Sequence, residues 1–305
     1  MKCIVTGSSG FIGKNLVKEL LKNNYEVLGI DPNKSSINDT KYLHHQGFSE
    51  DIPKEIIENY FNSDTTLFHI GASKHRNEKQ NYKAIEYSNV QDLNNLLQIV
   101  KKNPVRRIVF TSSLYVYGTQ TISPYSEDDL IKPDTIYGES KHKGELLIQN
   151  FSEKTLIPNT ILRLFFIFGP GQKTMNSNYD SLIHSTIKKI KQNKNPIVYG
   201  SGNQSMDFVF IDDLTKFLYS FSNKNTDLKG NNLLNFSSGQ KFTVLEIVNL
   251  IIKLMNVNTK INFHEADWTE GLSRYGSNNQ LKKVFNVEEL TNIIDGIQKC
   301  IDSYE

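Results

Sequence analysis

Cysteine and long apolar runs are both scarce in this sequence of 305 residues. The two cysteines, Cys3 and Cys300, lie at opposite ends of the chain, so we expect a reducing cytoplasm rather than a disulfide framework. The first apolar stretch runs only from Cys3 to Val5 before a Gly/Ser turn, which is too short for a secretory signal peptide. No other run approaches the length of a membrane span, so the sequence predicts a cytoplasmic protein without a membrane segment.

A strong charge of one sign is also lacking. The formal net charge is +2 and the charged residues are well mixed, which gives no electrostatic case for nucleic acid or an anionic membrane as a partner. His69 and His75 are isolated from other ligand types, so no metal site is assigned. We see no repeat, low-complexity block or Pro/Gly-rich linker, and the length suits a large α/β domain with a smaller dependent one.

A glycine-rich turn follows the first apolar stretch. Cys3–Thr6 has the pattern of a short buried strand, and an amphipathic stretch follows the turn Gly7-Ser8-Ser9-Gly10-Phe11-Ile12-Gly13. Glycines let a backbone turn sharply and approach a pyrophosphate, which the N–H groups of Phe11, Ile12 and Gly13 at a helix N-terminus would bind. A second predicted strand ends at Asp31, where a carboxylate would accept hydrogen bonds from a ribose diol and repel a 2′-phosphate. The stretch therefore predicts NAD binding in preference to NADP, although a glycine turn alone could be an ordinary tight turn.

Strand and helix patterns then alternate along the first half of the chain. Predicted strands at Thr66–Ile70 and Arg107–Thr111 flank a long amphipathic helix over Tyr82–Lys101. This alternation predicts an α/β fold with a doubly wound parallel sheet, which is the Rossmann arrangement.

A tyrosine and a lysine lie four residues apart in Tyr137-Gly138-Glu139-Ser140-Lys141. Residues at this spacing share one face of a helix. A nearby ammonium favours the phenolate form, so we expect Lys141 to lower the pKa of Tyr137 and make it an acid/base group. The spacing also arises by chance, and its weight comes from the motifs around it.

Together these motifs resemble the extended short-chain dehydrogenase/reductases, and within them the NAD-dependent sugar-nucleotide epimerase/dehydratase family. The motifs are Gly7-x-x-Gly10-x-x-Gly13, His69-Ile70-Gly71-Ala72, Ser112-Ser113-Leu114-Tyr115-Val116-Tyr117-Gly118, Tyr137-x-x-x-Lys141, Arg163 to Gly171 and Asp207 to Asp213. The resemblance covers nearly the whole chain. It implies that Ser113 hydrogen-bonds the sugar oxygen, that Tyr137 takes its proton, and that Lys141 holds the nicotinamide ribose of NAD.

Several positions depart from the family pattern. Family dehydratases carry Asp and Glu after the catalytic hydroxyl residue, whereas this chain has Leu114 and Tyr115, so a dehydratase is disfavoured. Phe48 stands where the family often has an adenine-contacting Asp. Phe166 replaces an Asn and Met206 an Arg that many epimerases have, and losing this Arg removes a bidentate phosphate contact. Arg274 or Lys173 would have to compensate.

We expect residues 1–165 to form the NAD-binding domain and residues 166–305 to form mainly a substrate-binding lobe, with some segments returning to the sheet. The substrate-binding residues are predicted to be Lys74, Ser113, Phe166, Met206 and Arg274. Trp268 either stacks on a nucleobase or anchors the lobe. The resemblance also implies a homodimer built on a four-helix bundle from Tyr82–Lys101 and Tyr137–Gln149, although the leucines of these helices may equally belong to the core.

The predicted function is an NAD-dependent nucleotide-sugar epimerase acting at C4 through a 4-keto intermediate. The alternatives are a nucleotide-sugar dehydrogenase or 4-ketoreductase, because hydride transfer needs the same oxygen contacts in either direction, and a dinucleotide-sensing protein without turnover. Because Phe166 and Met206 make the pocket less polar, we expect UDP-glucose and UDP-galactose to be poorer substrates than a deoxygenated or otherwise modified nucleotide sugar.

Overall fold

The computed structural model describes residues 1–75, 77–119, 122–172, 181–223, 230–286, 288 and 290–304. These residues form two compact units. Unit 1 consists of Met1–Gly118, Leu130–Leu164 and Thr215–Leu234, and unit 2 consists of Thr119–Asp129, Phe165–Leu214 and Asn235–Glu305. The chain therefore passes between the units several times.

Unit 1 is built on a seven-stranded sheet. Its strands are β1 (Lys2–Thr6), β2 (Glu26–Asp31), β3 (Tyr42–Gln46), β4 (Thr66–His69), β5 (Arg107–Ser113), β6 (Asn159–Leu164) and β11 (Asn232–Phe236). Their order is β11-β6-β5-β4-β1-β2-β3, and the neighbouring pairs from β6 to β3 are parallel. This sheet confirms the predicted doubly wound α/β fold.

Helices of unit 1 cover the sheet because their apolar residues recur at helical spacing. The helices are α1 (Phe11–Lys22), α2 (Lys54–Tyr60), α3 (Tyr82–Glu86), α4 (Asp92–Lys102) and α5 (Ile136–Thr155). Leu93, Leu96, Leu97 and Val100 of α4 pack in one apolar core with strand residues such as Ile4 and Phe110. These leucines therefore belong to the core, which was one of the two readings left open by the sequence.

The predicted long helix over Tyr82–Lys101 differs from the observed one in its middle. A π-helical turn at Tyr87–Gln91 separates α3 from α4. Asn89 lies in this turn, and its side chain bonds to groups outside the helix. Such π turns insert one residue into an α-helix and re-aim a side chain, which a 3.6-residue period does not reveal.

Unit 2 contains small sheets and helices. Its strands are β7 (Phe166–Phe168), β8 (Ile197–Tyr199), β9 (Ser205–Met206), β10 (Phe208–Phe210), β12 (Phe242–Thr243), β13 (Asn262–His264) and β14 (Ser273–Arg274). Its helices are α6 (Leu182–Lys191), the first part of α7 (Ile211–Ser220), α8 (Val244–Leu254), α9 (Asn279–Lys282) and α10 (Ile293–Asp302). The apolar periodicity of the sequence also predicts helices over residues 180–194 and 287–301. The first residue of each lies outside the described part of the chain, in which α6 begins at Leu182 and α10 at Ile293.

A buried carboxylate ties unit 2 together. Asp207 is fully buried and accepts hydrogen bonds from the N–H and hydroxyl of Ser238 and from the N–H groups of Gly239 and Gly276. Burial raises the pKa of Asp207 to about 6, while these hydrogen bonds act in the opposite direction. Asp207, the first residue of the aspartate-bearing segment recognised in the sequence, therefore holds together loops that are far apart in the chain.

Candidate active site

The glycine turn packs against the segment that directly follows β4 in unit 1. Gly7 has φ +66°, and a Cβ there would lie 2.6 Å from the Cα of Gly71. A Cβ at Gly13 would collide with the carbonyl of Gly7. Gly10 caps α1 without a side-chain acceptor for the first N–H groups, which belong to Phe11, Ile12 and Gly13. These residues fit the pyrophosphate of a dinucleotide, because no capping side chain occupies the backbone N–H groups and the positive end of the helix dipole faces the turn.

Asp31 ends β2 beside this turn. Its side chain is 5% exposed and accepts hydrogen bonds from the N–H of Ser9 (3.0 Å) and from the N–H of Asn33 (2.8 Å). The carboxylate thus holds the glycine turn in place. Its predicted contact with a ribose diol stays a prediction.

Ser113 and the start of α5 come together at the end of β5. Ser113 is the last residue of β5, and its hydroxyl accepts a weak hydrogen bond from the N–H of Tyr115 at 3.4 Å. Thr135 caps α5 by accepting from the N–H of Gly138 at 3.0 Å. A Cβ at Gly138 would collide with the carbonyl of Tyr115, so the glycine allows the first turn of α5 to approach Ser113 closely.

Tyr137 lies in this first turn, with its ring perpendicular to that of Tyr115 at a centroid distance of 5.9 Å. Burial raises the pKa of Tyr137 well above its ordinary value, as do Tyr115 and Glu78, whereas a hydrogen bond with Ser113 acts in the opposite direction. The four-residue spacing predicted that Lys141 would lower this pKa. In the structure, desolvation of the phenolate is the larger effect, so burial favours the neutral phenol of Tyr137.

Lys141 lies one helical turn further along α5 and is only 2% exposed. Its ammonium stands 4.4 Å from the ring centroid of Phe110, which also stacks on His69. Burial lowers the pKa of Lys141 to about 7, while the charge of Glu145 raises it. His69 stays neutral because burial and Lys141 lower its pKa to about 3.

Lys74 also lies at the site in unit 1. Its ammonium is 4.0 Å from the ring centroid of Tyr115 and 5.0 Å from that of Tyr137. A cation at this distance from an aromatic face is attracted to it. The structure thus places Lys74 beside Tyr137, and its role in substrate binding stays a prediction.

Sequence reasoning missed Asn89. Its amide exchanges two hydrogen bonds with the backbone of Ser73 and donates a third to the Ser140 hydroxyl at 2.9 Å. Asn89 thereby joins the loop that carries Lys74 to the helix that carries Lys141. Its partners lie 16 and 51 residues away in the chain, so no local sequence pattern indicates this role.

A buried ion pair was missed as well. Glu145 and Arg163 form two hydrogen bonds of 3.0 and 2.9 Å, and Arg163 also donates to the Tyr117 hydroxyl at 3.0 Å. All three side chains are almost completely buried. The group connects α5, β6 and the turn after Ser113.

In unit 2 the structure brings together Phe166, Met206 and Arg274. Arg274 pairs with Met206 in parallel register, and its guanidinium carbon is 5.0 Å from the ring centroid of Phe166. Trp268 contacts the same guanidinium at 5.2 Å. Lys173, the other cation considered as a replacement for the missing arginine, lies outside the described residues.

Two further findings concern metals and membranes. Among the described residues, no group of three or more His, Cys, Asp or Glu side chains could hold a metal ion. No helix in that part of the chain combines the length and apolarity needed to cross a membrane.

A family model and two known proteins match most of this chain. The model of the NAD dependent epimerase/dehydratase family matches residues 3–237. An uncharacterized UDP-glucose epimerase, YtcB, of Bacillus subtilis is 29% identical over 97% of this chain and 96% of its own. A putative UDP-glucose 4-epimerase of Methanocaldococcus jannaschii is 30% identical over 81% of this chain and 80% of its own.

A solved structure supports the fold. UDP-N-acetylglucosamine 4-epimerase from Methanobrevibacter ruminantium superposes with a TM-score of 0.90 at 22% identity, covering 99% of this chain and 97% of that one. These findings confirm the resemblance seen in the sequence. The chain therefore belongs to the NAD-dependent epimerase/dehydratase family of extended short-chain dehydrogenase/reductases, and it is an enzyme whose cofactor is NAD.

Proposed function

We propose that this protein is a nucleotide-sugar 4-epimerase. The observation that carries the proposal is the placement of Ser113, Tyr137 and Lys141 at one end of the sheet in a family whose relatives of similar length are described as UDP-sugar 4-epimerases. NAD, when bound, supplies the chemistry by accepting a hydride and returning it. The residues of this chain bind and orient the substrate and NAD, and they move a proton.

The proposed roles follow from the site. Ser113 donates a hydrogen bond to the sugar C4 oxygen, and Tyr137, in its ionised form, takes the proton of the C4 hydroxyl as the 4-keto sugar forms. Lys141 holds the nicotinamide ribose, and its positive charge favours the phenolate once a proton leaves. Lys74 binds the substrate from beside Tyr137, and the N–H groups at Phe11, Ile12 and Gly13 bind the pyrophosphate of NAD.

Tyr115 bears on the choice of reaction. It occupies the position where family dehydratases carry an acid, and its phenol contacts Tyr137 edge-on. Neither Leu114 nor Tyr115 can remove a second proton from the substrate at neutral pH. This supports epimerisation over dehydration.

The test is a panel of UDP-, GDP- and dTDP-sugars incubated with the purified protein, with NADH absorbance and product stereochemistry followed together. An epimerase regenerates NAD in each turnover, so we expect inverted C4 products without net absorbance change. Accumulation of NADH would favour a dehydrogenase, and absence of turnover on the whole panel would favour a dinucleotide sensor. Efficient interconversion of UDP-glucose and UDP-galactose would contradict the meaning given to Phe166 and Met206.

We also propose that the enzyme is cytoplasmic and forms a homodimer through the exposed faces of α3, α4 and α5. The two cysteines support the first point because both are free thiols, which suits a reducing compartment. The exposed Leu146 of α5 supports the homodimer.

A further inference from the structure

The segment that follows β3 lies beside the predicted ribose site in unit 1. Dinucleotides bind outside the carboxyl ends of parallel strands, where the glycine turn follows β1 and Asp31 ends β2. Gly47 and Phe48 directly follow β3, which pairs with β2. The N–H of Gly47 donates to the carbonyl of Asp31 at 3.1 Å. This bond holds Phe48 next to the residue that is predicted to contact the ribose, so the base attached to that ribose has to be met here.

Polar backbone groups of this segment are already hydrogen-bonded within the protein. The carbonyl of Phe48 accepts from the N–H of Asp51 and from the Nε2 of His45, both at 3.2 Å. The N–H of Ser49 donates to the buried carboxylate of Asp92 at 2.7 Å. Because these groups are occupied, the segment meets a base with the side chain of Phe48.

A second aromatic ring stands against Phe48. The ring of Tyr87 meets it edge-on, with the ring centroids 4.9 Å apart and the ring planes at 89°. Tyr87 comes from the π-helical turn between α3 and α4, and its hydroxyl donates to Glu50. Both rings are partly exposed. This pair, the aromatic corner, therefore offers apolar surface to a base while water reaches its rim.

Adenine and hypoxanthine differ only at the edge that carries their hydrogen-bonding groups. Adenine has an amino donor at N6 and an acceptor at N1, whereas hypoxanthine has an acceptor at O6 and a donor at N1. A carboxylate distinguishes these edges, because it accepts from the amino group and repels the O6 acceptor. Aromatic contact is nearly equal for all bases, since every base has a π-face.

We propose that the aromatic corner of Phe48 and Tyr87 packs against the base of the dinucleotide without reading its edge. This enzyme then binds nicotinamide hypoxanthine dinucleotide about as tightly as it binds NAD. The relaxed base specificity comes from an aromatic residue at position 48 in place of an acidic one. It concerns the cofactor alone and holds for any nucleotide-sugar substrate.

The experiment displaces NADH from the whole protein with NAD and with the hypoxanthine dinucleotide, and the fluorescence of bound NADH gives both dissociation constants. The two constants of the wild type should agree within about threefold. Phe48→Asp should create a preference for NAD of about tenfold or more, because its carboxylate accepts from the adenine amino group. Tyr87→Ala should weaken both dinucleotides equally, by roughly three- to tenfold, since it removes an aromatic contact that both bases share.

Two controls separate the rings from other effects. Tyr87→Phe keeps the ring and loses only the bond to Glu50, so it should bind both dinucleotides as the wild type does. Leu156→Asp introduces a carboxylate at an exposed apolar residue of the same unit and should leave the ratio of the two constants unchanged. Thermal unfolding should show that each variant is folded.

Two outcomes would overturn the proposal. A wild-type preference for NAD of about tenfold or more would show that a polar group such as the Glu50 carboxylate reads the amino group. An unchanged ratio in a folded Phe48→Asp protein would show that the base lies away from Phe48.

Discussion

At the scale of single residues, the site depends on a phenol that burial keeps protonated. Desolvation raises the pKa of Tyr137, so the phenol must lose its proton before Tyr137 can accept one from a substrate hydroxyl, and a nearby positive charge favours that ionised form. Tyr137→Phe keeps the ring and removes the proton acceptor. We expect turnover to fall by at least about a hundredfold while NAD remains bound, measured by steady-state kinetics and by nucleotide released on denaturation.

The control for this change is Tyr82→Phe, which removes the hydroxyl of a tyrosine on the surface of α3. It should leave turnover and NAD content as in the wild type. Turnover of the Tyr137→Phe protein within a few-fold of the wild type would remove Tyr137 from the mechanism.

At the scale of secondary-structure elements, Glu145 connects α5 to β6 through Arg163 and also acts on Lys141. Glu145→Gln leaves Arg163 buried without a counter-charge, which should lower the free energy of unfolding by about 3–5 kcal/mol in urea denaturation. Glu145 raises the pKa of Lys141, so its loss must lower this pKa further below about 7. Lys141 then loses its proton at a lower pH, so we expect the basic limb of the pH–rate profile to move to lower pH.

Glu153→Gln is the matched control, because Glu153 is an exposed glutamate on the same helix. It should change neither stability nor the pH–rate profile. A Glu145→Gln protein with wild-type stability would show that the ion pair is not needed, and an unchanged basic limb would show that Lys141 does not control it.

At the scale of the whole molecule, the prediction is a homodimer joined by helices of unit 1. The large apolar residues of α4 are buried in the core and cannot form this interface. Leu146 of α5, by contrast, is 45% exposed, and the neighbouring Leu147 is partly buried. An exposed leucine on a long helix is a favourable centre for a helix–helix interface.

The mass in solution at micromolar concentrations should therefore be twice the chain mass by light scattering, and Leu146→Glu should shift it towards one chain. Lys154→Glu, a change of charge on the same helix, should leave it unchanged. A monomer mass for the wild type would contradict the homodimer.

The sequence by itself determined the parts of the protein that depend on neighbouring residues. The glycine turn and Asp31 lie within one strand–turn–helix–strand segment, and Tyr137 and Lys141 lie about one helical turn apart. Steric and hydrogen-bonding rules act locally over such short distances in the chain. Alternating strands and helices likewise indicated the doubly wound sheet. The sequence pattern missed β3 and α2, whose apolar signal is weak.

Tertiary structure decided the rest, because it brings together residues that are far apart in the chain. Three contacts are not indicated by any local sequence pattern. They are the contact of Arg274 with Phe166, the ion pair of Glu145 with Arg163, and the hydrogen bond from Asn89 to Ser140. The direction of the pKa shift at Tyr137 was also beyond the sequence. A lysine four residues away is visible in the sequence, whereas the burial that outweighs it exists only when the surrounding elements have packed.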